Sequence, residues 1–340
     1  VLTPRELNRA LLARQLLLER AALPLPAALE QVAGLQAQYA PAMYVGLWSR
    51  LREFARDHLT RALEQRSVVQ GTVLRATIHL VSAADYWPFA LAVRQERRTR
   101  WLRVPSHRVH ADEVAAAAER LRHRLADGPV RRPDLEALVG RGLVLGLGLW
   151  LDLLRVPPSG TWERRRADLY ADAERWLGPP GVEPDAAVEL VVRRYLGGFG
   201  PAPLRDVADW AGLPVTVVGQ AVARMEARRF RDERGGELVD LPEAPLPPPD
   251  ILAPVRFLPV WDATLLVHAR RAGVLPEEHR SRVFTTKTPQ SVATFLVDGK
   301  VAGRWTYDRG AVRVDPFHPL ARSTRREVER EAEALGAFHA

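Results

Sequence analysis

The chain has 340 residues, of which 47% are hydrophobic and 26% are charged, a composition typical of a globular protein with ample buried core. Cysteine is absent, which excludes disulfide bonds and thiolate metal sites and fits a cytoplasmic location. The formal net charge is +8, and nearly all of the positive charge is arginine, because lysine occurs only at Lys287 and Lys300. A polyanion partner is one explanation, since arginine matches phosphate geometry; a GC-rich genome is the other.

The N-terminal residues predict a helix that starts at once, with Thr3 as its cap and Pro4 at its first position. We find no signal-peptide pattern and no run of about 18 apolar residues, so no membrane partner is expected. These features predict a bacterial protein that stays in the cytoplasm.

Apolar residues recur with helical periodicity through the first two thirds of the chain, and one pattern occurs there three times. The first copy has predicted helices at about 4–21, 26–38 and 43–55. Strand-like runs at 68–70 and 76–81 then flank Gly71. The first copy is therefore a set of helices followed by two short strands.

The second copy has predicted helices at 112–125 and 132–139, followed by a third apolar stretch at 145–154. Segment 157–170 then carries three consecutive arginines between strand-like residues. The order of elements is thus the same as in the first copy.

The third copy is the clearest, with predicted helices at 186–196, 204–210 and 215–228. Residues 229–239 then predict a hairpin with Gly235-Gly236 at its tip. Three helices followed by a two-stranded ribbon, the wing, define a winged helix, which is a variant of the helix-turn-helix. The sequence predicts three such units in tandem.

A proline-rich stretch at 241–249 separates this array from a β-rich region. There, strands at 292–297 and 300–307 flank Asp298-Gly299, and a further strand and a helix follow. We expect a small sheet or barrel capped by the helix, in a fold that is mainly α with β. The predicted domains are 1–105, 106–180 and 181–250, each a winged helix, and the β-rich region 251–340.

Three wings in one chain favour binding to nucleic acid, because a winged helix places its third helix in the major groove and its wing on nearby phosphates. Winged helices also act as protein-interaction modules, so a scaffold protein is an alternative. A further arginine cluster lies at 94–103. It is either a solvated helix face or a group of like charges that requires negatively charged partners. The predicted DNA contacts are Arg50, Arg75, Arg164, Arg165, Arg166, Arg229, Arg231, Lys300 and Arg304.

The common catalytic motifs are absent from the sequence: there is no glycine-rich nucleotide loop, no serine elbow and no zinc-protease histidine pair. His107 and His110 lie three residues apart, but no third ligand is near them, and the carboxylates do not cluster. We therefore expect neither a metal nor a cofactor.

One short segment remains as a candidate catalytic site, the pair Gln36 and Gln38. Because Pro41 disfavours helical geometry before it, we expect the two amides to converge at a helix C-terminus, where the partial negative charge favours a cation. Two amide oxygens could then hold a water for attack on an oxocarbenium-like sugar. Tyr39 beside them is expected in the core.

His79 and Asp262 are further candidates for the site. His79 lies between apolar residues of a predicted strand, and a structural role is its other interpretation. Asp262 follows Trp261 and is equally interpreted as a structural hydrogen-bond hub.

The segment at 32–41, VAGLQAQYAP, resembles the glutamine motif of the AlkZ/YcaQ family of winged-helix DNA glycosylases. The resemblance continues at 46–51, 74–81, 258–262 and 296–305, so it covers nearly the whole chain. It implies three winged helices around a basic concave cleft, and excision of N7-alkylated purines with unhooking of interstrand crosslinks. It also implies a β-hairpin that reaches into the DNA. We place this hairpin at 292–307, although it is equally interpreted as part of the sheet.

The family motif is QxQ in one branch and QxD in the other, and Gln38 places this chain with the branch that confers resistance to a DNA-alkylating natural product. An N7-alkylguanine is already cationic and leaves without a general acid, so the enzyme must place a water and stabilise positive charge at C1′. The resemblance thus implies a monofunctional glycosylase with Gln36 and Gln38 as its catalytic pair. We expect it to act as a monomer on duplex DNA of the nucleoid. The alternative is a non-catalytic winged-helix transcriptional regulator.

Overall fold

In the computed structural model of the chain, residues 1–104, 110–266, 273–284 and 291–340 are described. Their helices are α1 (Pro4–Arg14), α2 (Leu25–Gln31), α3 (Ala40–Trp48), α4 (Arg56–Glu64), α5 (Ala83–Leu102), α6 (Ala111–Leu125), α7 (Arg132–Val139), α8 (Arg141–Leu147), α9 (Ala173–Leu177), α10 (Pro184–Phe199), α11 (Leu204–Ala211), α12 (Val215–Ala223), α13 (Ala263–Leu266), α14 (Arg280–Val283) and α15 (Arg322–His339). Their strands are β1 (Leu35–Gln36), β2 (Val68–Thr72), β3 (Ile78–Ser82), β4 (Val130–Arg131), β5 (Leu153–Arg155), β6 (Leu169–Asp172), β7 (Arg228–Arg231), β8 (Glu237–Asp240), β9 (Arg256–Leu258), β10 (Thr294–Val297), β11 (Lys300–Asp308) and β12 (Ala311–Pro316). Within these ranges, no helix is both long and apolar enough to cross a membrane.

The third winged helix has the predicted order of elements. Helices α10, α11 and α12 are followed by the antiparallel hairpin of β7 and β8. Gly212 caps α11 in the left-handed conformation (φ 78°), and Gly235 turns the hairpin with φ 82°. Glycine adopts these angles without steric cost, which explains why the local sequence is a reliable guide here.

The second unit follows its prediction except in its third apolar stretch. That stretch, predicted as one element over 145–154, is divided between the end of α8 and strand β5. Gly146 and Gly148 weaken the helix, and Gly148 is its C-cap. β5 pairs with β6, and the long loop between them carries the three consecutive arginines.

In the first unit, helix α2 ends at Gln31 and not near residue 38. Ala33 and Gly34 both have positive φ, 61° and 77°, and the chain turns there into strand β1. A Cβ at Gly34 would lie 3.0 Å from the side chain of Val81, so a larger residue would be strained. The prediction of a helix through the glutamine pair is therefore wrong: Gln36 lies in β1 and Gln38 lies in the bend that follows it.

The wings of the first and second units form one sheet. Its strand order is β1-β3-β2-β5-β6-β4, with every pair antiparallel. The units meet where β2 pairs with β5, through Gln70 with Arg155 and Gly71 with Leu154. The ring of Tyr86 covers Gly71 and leaves no space for a Cβ. The backbone hydrogen bonds of this joint fix the second wing relative to the first.

The C-terminal region is an open antiparallel sheet of order β12-β11-β10-β9, with α15 packed against it. Asp298 and Gly299 form the predicted tight turn between β10 and β11, with φ values of 44° and 78°. Phe338 of α15 contacts Trp48 and Phe54 of the first unit. The first unit and the C-terminal region therefore share a hydrophobic core.

A buried ion pair joins α3 to the segment after β9. The guanidinium of Arg50 donates two hydrogen bonds to the carboxylate of Asp262, at 2.9 and 3.1 Å, and both side chains are 1% exposed. Arg50 also donates to the carbonyl of Gly46, and Asp262 accepts from the backbone and hydroxyl of Thr264. Arg50 has no surface for DNA, so its predicted DNA contact is wrong. Asp262 is a structural hydrogen-bond hub, as the second interpretation of this residue predicted.

A second buried arginine holds the third wing against α1. Arg14 donates to both carboxylate oxygens of Asp240, at 2.6 and 3.0 Å, and neither side chain is exposed. Arg228 donates to the same carboxylate at 2.7 Å. Asp240 lies at the end of β8, so this cluster fixes the root of the third wing.

We expect the Asp262→Ala variant to lower the free energy of unfolding by about 3–5 kcal/mol, because it leaves the Arg50 guanidinium buried without a counter-charge. Urea denaturation monitored by tryptophan fluorescence measures this change. The matched control is Asp209→Ala, which breaks an exposed pair with Arg205 and should cost at most about 1 kcal/mol. Equal losses in the two variants would contradict a central role for the buried pair.

Candidate active site

Gln36 and Gln38 lie where strand β1 leads into helix α3. Gln36 is paired with His79 of β3, and the amide of Ala37 continues the ladder by donating to the carbonyl of Ile78 at 2.7 Å. Residues directly opposite each other in an antiparallel pair point to the same face, so the amide of Gln36 shares the face that carries His79, whereas Gln38 lies in the bend between β1 and α3. Gln36 is 8% exposed and Gln38 is exposed. The predicted setting at a helix C-terminus is thus wrong, because Gln36 belongs to a strand and Gln38 to the bend that leads into α3.

The local helix dipole has the opposite sign to the one expected. Helix α3 begins directly after the pair, with Tyr39 as its N-cap and Pro41 in its first turn. A helix N-terminus carries partial positive charge and free N–H groups. The predicted stabilisation of a cation by a helix C-terminus is therefore wrong. Pro41 does not end a helix here but starts one, as proline commonly does.

His79 is a buried neutral imidazole next to this pair. It is 4% exposed, and its Nδ1 lies 3.0 Å from the carbonyl oxygen of Thr77. Because a carbonyl only accepts, Nδ1 carries the proton and Nε2 keeps its lone pair. Burial lowers the pKa of His79 to about 3, and the charges of Arg75 and Arg97 act in the same direction. The ring is a hydrogen-bond acceptor without charge at neutral pH.

A cleft of about 710 Å³ begins at Tyr39, the residue after the glutamine pair. Tyr39 is 44% exposed, so its expected place in the core is wrong. The walls come from the start of α3, the loop between β5 and β6, and the C-terminal sheet. The aromatic residues and arginines that line it are Tyr39, Trp162, Trp305, Tyr307, Arg165, Arg304 and Arg313.

One arginine of the second wing, Arg165, reaches this cleft. Arg164, Arg165 and Arg166 are all exposed in the loop between β5 and β6. The guanidinium of Arg165 lies 3.4 Å from the hydroxyl of Tyr39 and 5.7 Å from the centre of the Trp162 ring. The structure therefore brings one predicted DNA contact beside the glutamine motif.

The hairpin predicted at 292–307 forms, but its turn faces the protein. Asp298 is bonded to Arg5 and Arg9 of α1, and Asn8 donates to the carbonyl of Gly299 at 2.9 Å. Lys300 follows this turn directly and does not line the cleft. The interpretation of 292–307 as part of the sheet is therefore the better one.

The next hairpin, β11–β12, is the one that projects. Residues 306–311, including its tip at Asp308, Arg309 and Gly310, are exposed. Arg304 and Arg313, on its two strands, line the cleft, and Arg304 is paired with Asp315 at 2.7 Å. The sequence held one signal for it: polar residues alternate with Trp305 and Tyr307 along β11, which indicates a strand with one solvated face.

The other predicted contacts lie elsewhere. Arg229 and Arg231 are exposed on β7, and neither is among the residues that line the cleft. Arg75 belongs to a separate pocket between the first two units. His107 lies outside the described residues, and among those described no three histidines or carboxylates are grouped as metal ligands.

A family model described as DNA glycosylase AlkZ-like matches residues 29–338. The chain belongs to this family. This chain is similar to a protein from Streptomyces sahachiroi that is named interstrand DNA cross-link repair glycosylase. The two are 24% identical over 339 residues, and the match covers 89% of this chain and 87% of the relative. The solved structure of Streptomyces sahachiroi DNA glycosylase AlkZ has a TM-score of 0.82 and 22% identity, and the match covers 99% of this chain and 96% of that one.

These comparisons confirm the fold and the class of activity predicted from the sequence. The AlkZ-like chain is a DNA glycosylase, and a transcriptional regulator is not favoured.

The stability of the AlkZ-like chain should depend on pH through His79. Its folded-state pKa of about 3 is below the ordinary value of 6.5, so the unfolded chain binds more protons between these values. The contribution to stability is complete above about pH 6.5 and is lost as the pH falls towards 3. We expect the unfolding free energy of His79→Gln to fall less between pH 7 and pH 4, as measured by urea denaturation. The exposed His123→Gln is the control, and a wild-type slope in both variants would contradict a neutral buried imidazole.

Proposed function

We propose that the chain is a monofunctional glycosylase that hydrolyses the N-glycosidic bond of N7-alkylated purines in duplex DNA and unhooks interstrand crosslinks. The observation that carries this proposal is the placement of Gln36 on β1 opposite a neutral His79, with Gln38 exposed two residues later, next to the cleft that begins at Tyr39. Membership of the AlkZ-like family and the name of the Streptomyces sahachiroi relative support the substrate class.

The glutamine pair has the chemistry that this substrate requires. Alkylation at N7 makes the purine cationic, so its bond to C1′ breaks with the electron pair leaving on the base, and no general acid is needed. The side-chain oxygens of Gln36 and Gln38 accept the hydrogens of one water and direct its lone pair to C1′. The water forms the new C1′–O bond and its proton passes to solvent, because neutral amides are too weak as bases to keep it.

His79 contributes by having no charge. Positive charge develops at C1′ in an oxocarbenium-like transition state, and a second cation nearby would raise the barrier. The proton on Nδ1 is held by the carbonyl of Thr77, and burial keeps the ring neutral. We assign His79 as a positioning residue on the face of Gln36, with its Nε2 as an acceptor.

The cleft beside the pair suits a bulky adduct. Its walls are aromatic and apolar, and the carboxylate of Asp315 that lines it is already bonded to Arg304. A base linked to both strands cannot be extruded easily into a closed pocket, so a wide cleft favours hydrolysis with the base still in the duplex. The biological role that we propose is resistance to a DNA-alkylating natural product, because Gln38 completes the QxQ form of the family motif.

We assign DNA contacts at two distances from the pair. Near the cleft, Arg165, Arg304 and Arg313 bind the phosphates that flank the lesion, and the tip of β11–β12 enters the duplex. Further along the DNA, Arg164 and Arg166 of the second wing and Arg229 and Arg231 of the third bind the backbone. One chain supplies all of these contacts, so a monomer is sufficient.

We expect Gln36→Ala and Gln38→Ala each to lower the rate of excision by on the order of a hundredfold, because each removes one acceptor of the attacking water. The assay is single-turnover release from a duplex with one N7-methylguanine or one N7-linked crosslink, followed by alkali cleavage of abasic sites. Gln95→Ala, at an exposed position of α5, is the control. Unchanged excision by both motif variants, with wild-type duplex binding, would refute the catalytic assignment.

We also expect the hairpin β11–β12 to carry salt-dependent DNA affinity. Replacing Arg309 and Arg313 by glutamine should reduce the slope of log K against log salt by about 0.9 for each phosphate that the variant no longer neutralises. Fluorescence anisotropy with a labelled duplex between about 50 and about 200 mM salt measures this slope. Lys300→Gln, at the opposite end of β11, should retain the wild-type slope. The assignment fails if Lys300→Gln has the larger effect.

A further inference from the structure

A second pocket, of about 360 Å³, lies between the first and second units. It opens beside the joint of β2 and β5, where Thr72 and Arg155 lie on neighbouring strands, and the C-terminal half of α5 and the start of α7 complete it. It shares no lining residue with the cleft next to the glutamine pair. Its arginines are Arg75, Arg97, Arg100, Arg132 and Arg155.

The charge of this pocket is not balanced by the protein. None of the described residues that line it is acidic. Of the nearest carboxylates, Glu136 is bonded to Arg132 at 2.8 Å, and Asp152 is bonded to Arg94 at 2.5 Å, outside the pocket. The charge of Asp152 acts on Arg97 from outside the pocket, but within the described chain no ion pair is formed by the guanidiniums of Arg75, Arg97, Arg100 and Arg155.

Arg75, Arg97 and Arg155 are half-buried, and this partial burial makes the excess of charge costly. Burial lowers the pKa of Arg75 to about 10, and it also lowers the pKa values of Arg97 and Arg155. The groups stay charged at neutral pH, and the Nε of Arg97 is buried without a hydrogen-bond partner among the described residues. Buried cations are usually paired, so a bound anion would relieve both deficits.

The arginines are held in place before any ligand binds. Arg97 donates to the carbonyl of Thr72 and Arg155 to its hydroxyl, each at 2.9 Å. Arg75 has a left-handed backbone (φ 50°), and its guanidinium donates to the carbonyl of Trp210 in the third unit. Because these donors are already fixed, they lose little side-chain entropy when a ligand binds. Such pre-organisation is typical of an anion site and not of a solvated surface.

The remaining walls indicate what carries the anion. Trp101, Tyr170, Leu135 and Leu153 line the pocket with aromatic and aliphatic surface. The volume is about a dozen times the ~30 Å³ of a water molecule, so an organic group fits beside a phosphate. We propose that this pocket binds the phosphate of a nucleotide, with the guanidiniums on its oxygens and the apolar wall against its sugar or base. The nucleotide comes either from a DNA strand or from solution, and only the first source depends on the proposed function.

The test uses the full chain and two kinds of probe. Isothermal titration calorimetry with deoxyguanosine 5′-monophosphate, and with deoxyguanosine as the probe without phosphate, tests for a free nucleotide. Anisotropy with a labelled undamaged duplex tests for a DNA strand. The variants are Arg97→Gln inside the pocket and Arg100→Gln with Arg132→Gln at its rim, with exposed Arg193→Gln as the control.

We expect one of the two probes to lose about tenfold or more in affinity in the pocket variants and not in the control. Loss confined to the monophosphate identifies a free nucleotide, and loss confined to the duplex identifies a DNA phosphate. Wild-type affinity for both probes in the rim variants overturns the proposal even where Arg97→Gln fails to fold. Excision by the wild-type chain is measured separately, so its absence would refute the glycosylase proposal and leave the monophosphate result standing.

Discussion

The pairing of Arg50 with Asp262 is the constraint on which the cleft depends. Arg50 lies just after α3, the helix that begins beside Tyr39 on one wall of the cleft. Asp262 lies just after Pro259 and Val260, which line the opposite wall. Two residues 212 positions apart in the sequence therefore fix the separation of two cleft walls. A buried ion pair adds little net stability compared with apolar packing, but its geometry is specific. The pair sets the distance between the glutamine strand and the C-terminal sheet.

The site is assembled from parts that are remote in sequence. The first unit supplies the glutamine strand, the second wing supplies Arg165, and the C-terminal sheet supplies the hairpin β11–β12. Each part is held by a different physical interaction. The second wing is fixed by strand pairing between β2 and β5, and the C-terminal sheet by the ion pair and by aromatic packing around Phe338. The third wing is fixed through Arg14 and Asp240, so it extends the protein without changing the cleft.

The sequence was a good guide where local chemistry decides the structure and a poor one where distant contacts do. The third winged helix could be predicted because glycines at 212 and 235 mark its turns. Strand β1 could not, because two residues form a strand only by pairing with β3, more than forty positions later. The glutamine pair could be found through its motif. The sign of the neighbouring helix dipole could not be predicted, because the pair precedes the start of α3 and does not end a helix. For Arg50, charge alone suggested DNA, whereas its partner Asp262 decided burial.

The shared sheet of the first two units has a mechanical consequence for the DNA. A hydrogen-bonded ladder cannot hinge without breaking several bonds at once, so the second wing cannot swing towards a straight duplex. In the proposed complex the duplex adapts its shape to the protein, and the energy of that adaptation depends on local stiffness. Alkylated or crosslinked steps with disturbed stacking deform at a lower cost than intact ones. If the chain acts on such steps as proposed, discrimination between damaged and intact DNA begins as a comparison of elastic energies, before any base is contacted.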